Sequence, residues 1–502
     1  MKKLISNTIF ILVVIFFSSC SSKSEYTDAI PQDASMVISL NMKKIVDKSG
    51  INEENSKALV RRITDALKSG LGAKSNKAIE ELLNDPSSSG ISFEDNIYLF
   101  SGDSSNLFGI LAKLDDEDDF SSILEVLNEE GVSSEIHDGD KCQWAKIGNL
   151  LCGFNNGTLM ILSNGTDDTS GLKETLMSYM RQEEDKSFSN TPYFKKLNEA
   201  KGEMAMILNF SLLPSNLVSQ LKIGMPADMK LEDLKYLMNV DFNAGNISCQ
   251  VQSLISEASI VSTLEDIDKA TMNVDNDLLA YYPSNTVLWS GASIKGGELY
   301  SILSKNPAVE RMMDDPMIPI DINDIFSAVD GDVALGYINP SLDDMILYGK
   351  VKTDQFMSGF DELIPLVAMS GGQMTLKKTG KATYQFGAMG ENLWFGVKSG
   401  MLYVTNNASL ATMACQKYPN SLLDTKAASS TANSRFVTFI NAQQIVSQMT
   451  MMSDYNLKMM QPVLNYCDYA TINVPDRNSA KMDIFLKDKS VNVLQLLVRE
   501  LQ

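Results

Sequence analysis

Short apolar runs and helically spaced apolar residues follow one another along the first half of the chain. The runs Met36–Leu40, Asn96–Ser101 and Phe108–Leu114 have the length of strands and are bounded by proline, glycine or polar residues. Apolar residues within 59–67 and within 120–127 fall on one face of a helix. Because strands and helices mix without the regular βαβ alternation of a parallel sheet, the pattern predicts the α+β class.

Asparagine and glycine mark tight turns further along the same half. Strand-like segments at 142–147, 150–154 and 158–163 are separated by Gly148–Asn149 and Asn155–Gly157. Both residue types accept the positive φ that hairpin turns need, so we predict antiparallel hairpins. The other elements predicted here are a helix at 172–181, a strand at 204–210 and a hairpin of 236–242 with 247–254.

Part of this half recurs in the second half. Residues 149–164 (NLLCGFNNGTLMILSN) align without a gap on residues 392–407 (NLWFGVKSGMLYVTNN), so that Gly153 matches Gly396. Two shorter matches keep the same order: Phe108–Leu114 with Met345–Val351, and Ala34–Ile38 with Thr286–Ser290. We therefore predict two tandem, diverged copies of an antiparallel sheet with packed helices. The copies span 29–267 and 279–502, and the polar, acidic stretch 268–278 joins them.

The first twenty residues have the features of an export signal. Two lysines precede the apolar run Ile9–Phe17, which is short for a transmembrane span. Phe17–Cys20 resembles the lipobox of bacterial lipoproteins, in which the cysteine is lipidated. We predict a signal peptide at 1–19, lipidation of Cys20 and a polar tether at 20–28. A plain secretory signal with an unrelated cysteine is the alternative.

The charge balance limits the partners. The chain has 43 Lys and Arg against 63 Asp and Glu, a net charge of -20. We predict no nucleic-acid partner, since phosphate binding relies on cations, and membrane attachment through lipid rather than through charge. By resemblance to general lipoprotein sorting, Ser21 after Cys20 favours the outer membrane of the cell envelope.

Five cysteines follow Cys20, and their positions do not recur between the copies. Cys142 and Cys152 lie on neighbouring predicted strands, but a two-residue turn at Gly148–Asn149 puts Cys142 opposite residue 155. We expect free, buried thiols. A bridge between Cys142 and Cys152 is the alternative.

Residues for common enzymatic chemistry are scarce. His137 is the one histidine, and we predict it in a solvated loop. The sequence has no signature of a nucleophile elbow, zincin, dithiol redox site, P-loop or dinucleotide-binding loop. We therefore predict no catalytic residue and no cofactor. A carboxylate pair stays open as a catalytic route.

Acidic clusters and methionines have structural explanations. Asp115–Asp119 stands at a predicted helix start, where negative charge complements the helix dipole. Asp321–Asp324 and Asp275–Asp277 resemble parts of a calcium loop but lack the glycine and glutamate of an EF-hand, so we predict no metal site. The methionines of Met449–Met460 are expected to fill a core.

The start of the mature chain, AIPQDASMVISLNMKKIVDKSGI at residues 29–51, resembles a domain-of-unknown-function family of large cell-envelope lipoproteins from Bacteroidota. The likeness extends over essentially the whole mature chain. It implies an envelope location and no functional residues.

Two functions remain open. The favoured one is a membrane-anchored, non-enzymatic envelope lipoprotein that binds a partner protein or polymer. The alternative is a carboxylate-dependent hydrolase acting on glycans, which requires two facing carboxylates in a cleft with at least one of them desolvated.

Overall fold

The computed structural model describes residues 25–51, 86–102, 106–212, 229–306, 309–310, 320–339, 341–369, 371–431, 433–449 and 464–501. Cys20, the predicted signal peptide, the predicted helix at 59–67 and most of Met449–Met460 lie outside these residues. The chain divides into two compact units. Unit 1 is drawn from Met1–Leu212, Leu234–Cys249 and Ser490–Gln502, and unit 2 from Leu213–Asp233 and Gln250–Lys489.

Both units contain strands and helices. The strands are β1 (Met36–Leu40), β2 (Ile97–Ser101), β3 (Phe108–Lys113), β4 (His137–Asp138), β5 (Gln143–Ile147), β6 (Leu150–Asn155), β7 (Thr158–Ser163), β8 (Met204–Asn209), β9 (Lys235–Asn243), β10 (Asn246–Ser253), β11 (Thr271–Met272), β12 (Leu288–Lys295), β13 (Val329–Tyr337), β14 (Met345–Val351), β15 (Met374–Gly380), β16 (Thr383–Ala388), β17 (Glu391–Lys398), β18 (Met401–Thr405), β19 (Phe436–Ile440), β20 (Cys467–Asp476) and β21 (Ser479–Leu486). The helices are α1 (Met42–Ser49), α2 (Glu117–Glu129), α3 (Leu172–Met180), α4 (Pro192–Glu199), α5 (Ala258–Lys269), α6 (Gly296–Leu303), α7 (Ile322–Ala328), α8 (Gly359–Ala368), α9 (Ala408–Met413), α10 (Ala442–Met449) and α11 (Val493–Leu501).

Local sequence signals explain the helix ends. The side chain of Asn41 accepts a hydrogen bond from the Lys44 amide at the start of α1, and Gly50, with a φ of 67°, ends that helix. The side chain of Asp116 accepts from two amides in the first turn of α2. The acidic run at Asp115–Asp119 therefore caps a helix, as predicted.

The strands pair in the same order in each unit. In unit 1 the order is β4-β5-β6-β7-β3-β2-β1-β8-β9, with every neighbouring pair antiparallel. In unit 2 it is β15-β16-β17-β18-β14-β13-β12-β19-β20, also antiparallel throughout. The predicted antiparallel α+β architecture is confirmed. Descent of the units from one duplicated domain stays a prediction.

An isolated bridge recurs in the two units, just before β1 and just before β12. Pro31 forms an isolated bridge with Ser187 in unit 1, and Pro283 forms one with Ser421 in unit 2. Each bridge fixes the chain just ahead of β1 or β12, the strands that hold the seventh place in the two orders.

Apolar side chains from the sheets and helices form the cores. In unit 1 the core contains Ile97, Leu124 and Phe154. Unit 2 has a core around Trp289, which is fully buried, and a smaller one around Tyr384, under α8. Adjacent residues of β17 belong to different cores, Trp394 to the first and Phe395 to the second, so these two cores lie on opposite faces of the same strands.

The last helix of each sequence half packs on the first helix of the other half. α11, at the end of the second half, lies in unit 1 and packs on α1, while α5, at the end of the first half, lies in unit 2 and packs on α6. The compact units therefore differ in bounds from the predicted copies, 29–267 and 279–502. The units are defined by contacts between residues, whereas the copies are defined by matches along the sequence. The bounds of the copies therefore stay a prediction.

His137 and part of the predicted joint both take part in strand pairing. His137 lies in β4, paired with Trp144, and not in a loop, because the neighbouring strand β5 extends the sheet as far as this residue. Its side chain is exposed, as expected. The predicted joint 268–278 contains β11, which pairs with β12, and Val274, which is buried in a core of unit 2.

Candidate functional site

Four carboxylates are buried among the described residues, and a lysine lies beside each. Such groups are the natural candidates for acid–base chemistry, because burial can raise a carboxyl pKa. Each instead has an ammonium group close to it. The pairs are Lys48–Glu203 at 2.8 Å, Lys350–Asp332 at 3.0 Å, Lys481–Asp483 at 2.9 Å and Lys426–Asp468.

Lys350 on β14 contacts three carboxylates. Its Nζ lies 3.0 Å from Asp332, 3.3 Å from Asp277 and 3.5 Å from Asp275. Burial alone would lower the pKa of Lys350, but the hydrogen bond and charge of Asp332, with help from Asp277, raise that pKa above its ordinary value. The acidic pair at 275 and 277 therefore faces an ammonium group, and this accounts for both carboxylates without a calcium ion.

Asp468 on β20 is held between cations and an amide. Lys426 forms an ion pair with its carboxylate, Lys489 lies 3.6 Å away, and Gln443 Nε2 donates to Oδ1 at 2.5 Å. Desolvation would raise the pKa of Asp468, but these donors hold the pKa below its usual range. The group is therefore a poor general acid.

His137 and the described cysteines are the remaining candidates for chemistry. The His137 ring stacks on Trp144 with centroids 4.5 Å apart, and Lys173 Nζ lies 4.5 Å from the same Trp144 ring. The five described cysteines, from Cys142 to Cys467, are not joined to one another by disulfides. Burial raises the pKa of the Cys152 thiol well above its ordinary value, so this thiol is a poor nucleophile.

Unit 2 contains a concave polar site beside α7 and α8. The cavity has a volume of 480 Å³. It lies where α7, the segment after β14 and the first turn of α8 meet. Its lining comprises Ile320, Asp321, Asp324, Ser327, Ala328, Lys352, Thr353, Gln355, Phe356, Ser358, Gly359 and Glu362. We refer to it as the α7–α8 cavity.

The floor and rim of the α7–α8 cavity follow from local sequence. Asp321 caps α7 by accepting a hydrogen bond from the Asn323 amide at 2.8 Å, and this places Asp324 one turn along. The Ser358 hydroxyl donates to the Gln355 carbonyl at 2.8 Å and closes the turn before α8. Phe356 is buried below that turn, which gives the cavity an apolar floor under a polar rim.

The cavity carries negative charge. Asp321, Asp324 and Glu362 are exposed to solvent. Lys352 is the basic residue of the lining, and Asp330, outside the cavity, pairs with it at 2.9 Å. The site therefore favours neutral hydroxylated groups or cations over phosphates and carboxylates.

Among the described residues, no buried carboxylate lines the α7–α8 cavity, although the hydrolase hypothesis requires a desolvated one. The cavity carboxylates are solvated, whereas the four buried carboxylates each contact a lysine.

Across the described ranges, no set of three His, Cys, Asp or Glu side chains is placed to hold a metal ion. In the same ranges, no helix is both long and apolar enough to cross a membrane.

In the sequence, Asp321 and Asp324 resemble part of an incomplete calcium loop, and no motif connects them with Glu362 or Lys352. The cavity combines two stretches that are separate in sequence, 320–328 and 352–362, and no spacing motif links them. The local sequence indicates only one part of the cavity, the start of α7 at its capping residue Asp321. Cys20, the predicted lipidation site, lies outside the described residues.

Comparison with known proteins gives a family and little else. Crystal forms IV and III of TP0453 align at 9% identity over 46% and 50% of this chain and 81% and 89% of that chain, with TM-scores of 0.26 and 0.28. The Thermotoga maritima DNA polymerase III beta subunit aligns at 9% identity over 90% of this chain and 99% of that chain, with a TM-score of 0.09. No curated protein matches. The family model described as "Domain of unknown function (DUF4836)" matches residues 26–494, and the chain therefore belongs to this family.

Proposed function

We propose that this chain is a lipid-anchored protein of the bacterial cell envelope, placed on the outer membrane, that binds a partner and catalyses no reaction. The N-terminal apolar run followed by Cys20 supports export and anchoring. The polar tether at 20–28 would lift the folded units off the lipid. Membership of a family of unknown function assigns no chemistry.

Two copies of one ancestral domain make up the mature chain in this proposal. Its support is the shared strand order of the units, together with the gap-free match of 149–164 with 392–407. The α7–α8 cavity, by contrast, belongs to unit 2. The part of unit 1 that corresponds to the cavity lining lies partly outside the described residues.

The α7–α8 cavity is the binding site in this proposal, and its shape is the observation that carries it. A volume of 480 Å³ falls inside the range of about 300–1,000 Å³ that is usual for small-molecule sites. Exposed carboxylates and hydroxyls on the rim, above an apolar floor, suit the hydroxyl and amino groups of a sugar unit in an envelope polymer.

Anchoring is tested by replacing Cys20 with alanine in the native host. An alkyne-bearing fatty acid should label the unchanged chain and fail to label Cys20→Ala, which should also leave the membrane fraction. Cys415→Ala serves as the matched control, because this half-buried thiol plays no part in the export signal. Labelling that persists without Cys20 would refute the anchor.

Binding is tested with glucosamine and N-acetylglucosamine oligosaccharides as probes, using calorimetry. The variant Asp324→Asn/Glu362→Gln should weaken binding by roughly tenfold, because it removes two negative charges from the rim and replaces one acceptor oxygen of each carboxylate by an amide donor. Glu391→Gln, at an exposed carboxylate on β17, should leave binding unchanged. Release of new reducing ends from the oligosaccharide would instead support the glycan hydrolase.

A further inference from the structure

β15 is an outer strand of the unit 2 sheet. It pairs with β16 on one side. On its other side, no strand among the described residues pairs with residues 375–380. Its counterpart in the strand order of unit 1, β4, has two residues, whereas β15 has seven. Short edge strands protect a sheet from pairing with other chains, and unit 2 lacks this protection.

The edge at β15 is basic in an acidic protein. Residues 374–381 (MTLKKTGK) contain three lysines and no acid, although the whole chain has a net charge of -20. Lys378 is occupied, because its Nζ lies 2.6 Å from Asp361 on α8. Lys377 and Lys381 are exposed and have no carboxylate partner among the described residues. The edge therefore offers positive charge to whatever pairs with it.

A second copy of this chain is a poor occupant for the edge. An antiparallel pair of β15 strands centred on Lys377 would put this lysine directly opposite its own copy. Like charges at directly opposed positions of neighbouring strands destabilise the pair. An extended segment with acidic residues has the complementary charge and avoids this repulsion.

Exposed methionines mark one end of the same edge. Met374 lies opposite Ala388 in the β15–β16 register, and Met389 follows in the turn to β17. The side chain of Met389 is fully exposed, and Met374 is 41% exposed. Methionine adapts its shape to apolar partners, so this end suits an apolar residue of the bound segment.

We propose that β15 binds an extended, acidic segment of a partner protein, which adds to the sheet as a further strand. Backbone hydrogen bonds along β15 would supply affinity, and Lys377, Lys381 and the methionine end would select the side chains. The surface is separate from the α7–α8 cavity, so the inference does not depend on the proposed sugar binding.

The test uses the full-length chain in detergent micelles and a synthetic peptide of alternating valine and glutamate. Fluorescence anisotropy measures binding, and hydrogen exchange measures protection of the backbone amides of β15. We expect the peptide to bind and to slow exchange at residues 375–380. A valine–lysine peptide should bind at least tenfold more weakly, as expected for charge complementarity.

Charge reversal at the edge separates pairing from general attraction. Lys377→Glu/Lys381→Glu should weaken binding of the acidic peptide roughly tenfold, whereas Lys487→Glu, at an exposed lysine of the same unit, should change it little. Peptide binding without added protection of β15 would overturn the proposal, as would no binding at all. Protection of β15 that grows with protein concentration in the absence of peptide would assign the edge to a second copy instead.

Discussion

The Nζ of Lys350 lies 3.0 Å from Oδ2 of Asp332, a residue that is 2% exposed. In unit 1, Lys113 on β3 lies 2.9 Å from Asp95. The two lysines occupy matching positions of the repeat and matching strands in the pairing order. Each lysine therefore neutralises an aspartate from the same strand position. The aspartates themselves do not match, because Asp332 lies within β13 and Asp95 lies just before β2.

Replacing Lys350 with methionine should destabilise unit 2. Asp332 would lose its nearest cation while remaining buried, and an unpaired buried charge is costly. Because Lys350 is about one-third exposed, we expect a loss near 2 kcal/mol, below the range for fully buried pairs. Urea unfolding followed by tryptophan fluorescence measures this change.

The adjacent pair Lys352–Asp330 supplies the control. Its atoms are 2.9 Å apart, but the lysine is 63% exposed. Exposed ion pairs contribute about 0–1 kcal/mol, so Lys352→Met should cost less than Lys350→Met. Equal losses in the two variants would show that burial of Asp332 does not govern the effect.

Acid should destabilise the protein partly through Asp468. Its pKa is lowered in the folded state, so its ionised form stabilises the fold above the pKa of the unfolded chain. That contribution is lost as the pH falls through the lowered folded pKa, below about pH 4. The Asp468→Asn variant should therefore lose less stability than the unchanged chain between about pH 6 and about pH 3.

Urea midpoints at the two pH values measure the effect. Glu391→Gln, which removes one exposed carboxylate, should follow the unchanged chain in its response to acid. If Asp468→Asn responded to acid in the same way as the unchanged chain, the ion pairs of Asp468 would contribute nothing to acid sensitivity.

Local structure was predictable because its causes are local. The turn at Gly148–Asn149 sets the β5–β6 register, in which Gln143 pairs with Phe154 and so position 155 lies opposite Cys142, as predicted. The strand β1 has the predicted bounds, Met36–Leu40. Period and turn residues are sufficient for such elements.

The matched glycines Gly153 and Gly396 have contacts that the sequence match alone does not reveal. At Gly153 a Cβ would lie 2.7 Å from a methyl group of Leu176, and at Gly396 it would lie 2.5 Å from the Ala382 carbonyl oxygen. Both positions need close packing, and this explains why the repeat aligns glycine with glycine. The neighbours differ, and the alignment contains no information about them.

Nonlocal features were not predictable from one sequence. The α7–α8 cavity joins side chains from two distant stretches of the chain, and the open edge at β15 depends on which strand ends the sheet. Neither leaves a spacing pattern in the chain. Lysine partners for the buried carboxylates also come from distant positions, as Lys48 and Glu203 illustrate.

The described cysteines should react slowly in the folded protein. Burial raises the pKa of Cys415 to about 11, and this thiol is half-buried. At about pH 8 its thiolate fraction should be reduced by roughly 100-fold relative to an ordinary thiol. Alkylation with iodoacetamide, followed by mass spectrometry, should modify the unfolded chain much faster than the folded one.

Among these cysteines, Cys415 should be modified first, because Cys142, Cys152, Cys249 and Cys467 are buried. The Cys415→Ser variant provides the control, since it should lose the earliest adduct. A disulfide between Cys142 and Cys152 in the non-reduced protein, or alkylation of folded Cys415 at the unfolded rate, would contradict this picture.

The C-terminal helix should stabilise the unit that contains the first helix. α11 packs on α1, and in the segment just before it the Asn492 side chain donates to the Phe242 carbonyl at 2.7 Å. Leu496 is 7% exposed, and its replacement by alanine should cost about 2–4 kcal/mol through lost packing and a cavity.

The adjacent Leu497 is 41% exposed and provides a matched control, for which we expect a loss of about 0.5 kcal/mol or less on replacement by alanine. Hydrogen exchange can assign the loss to a unit. Faster exchange in α1 and β9 of Leu496→Ala, with β12 and β13 unchanged, is the expected result, because α11 belongs to unit 1. Faster exchange confined to β20 and β21, the neighbours of α11 in sequence, would show that the helix stabilises its own half instead.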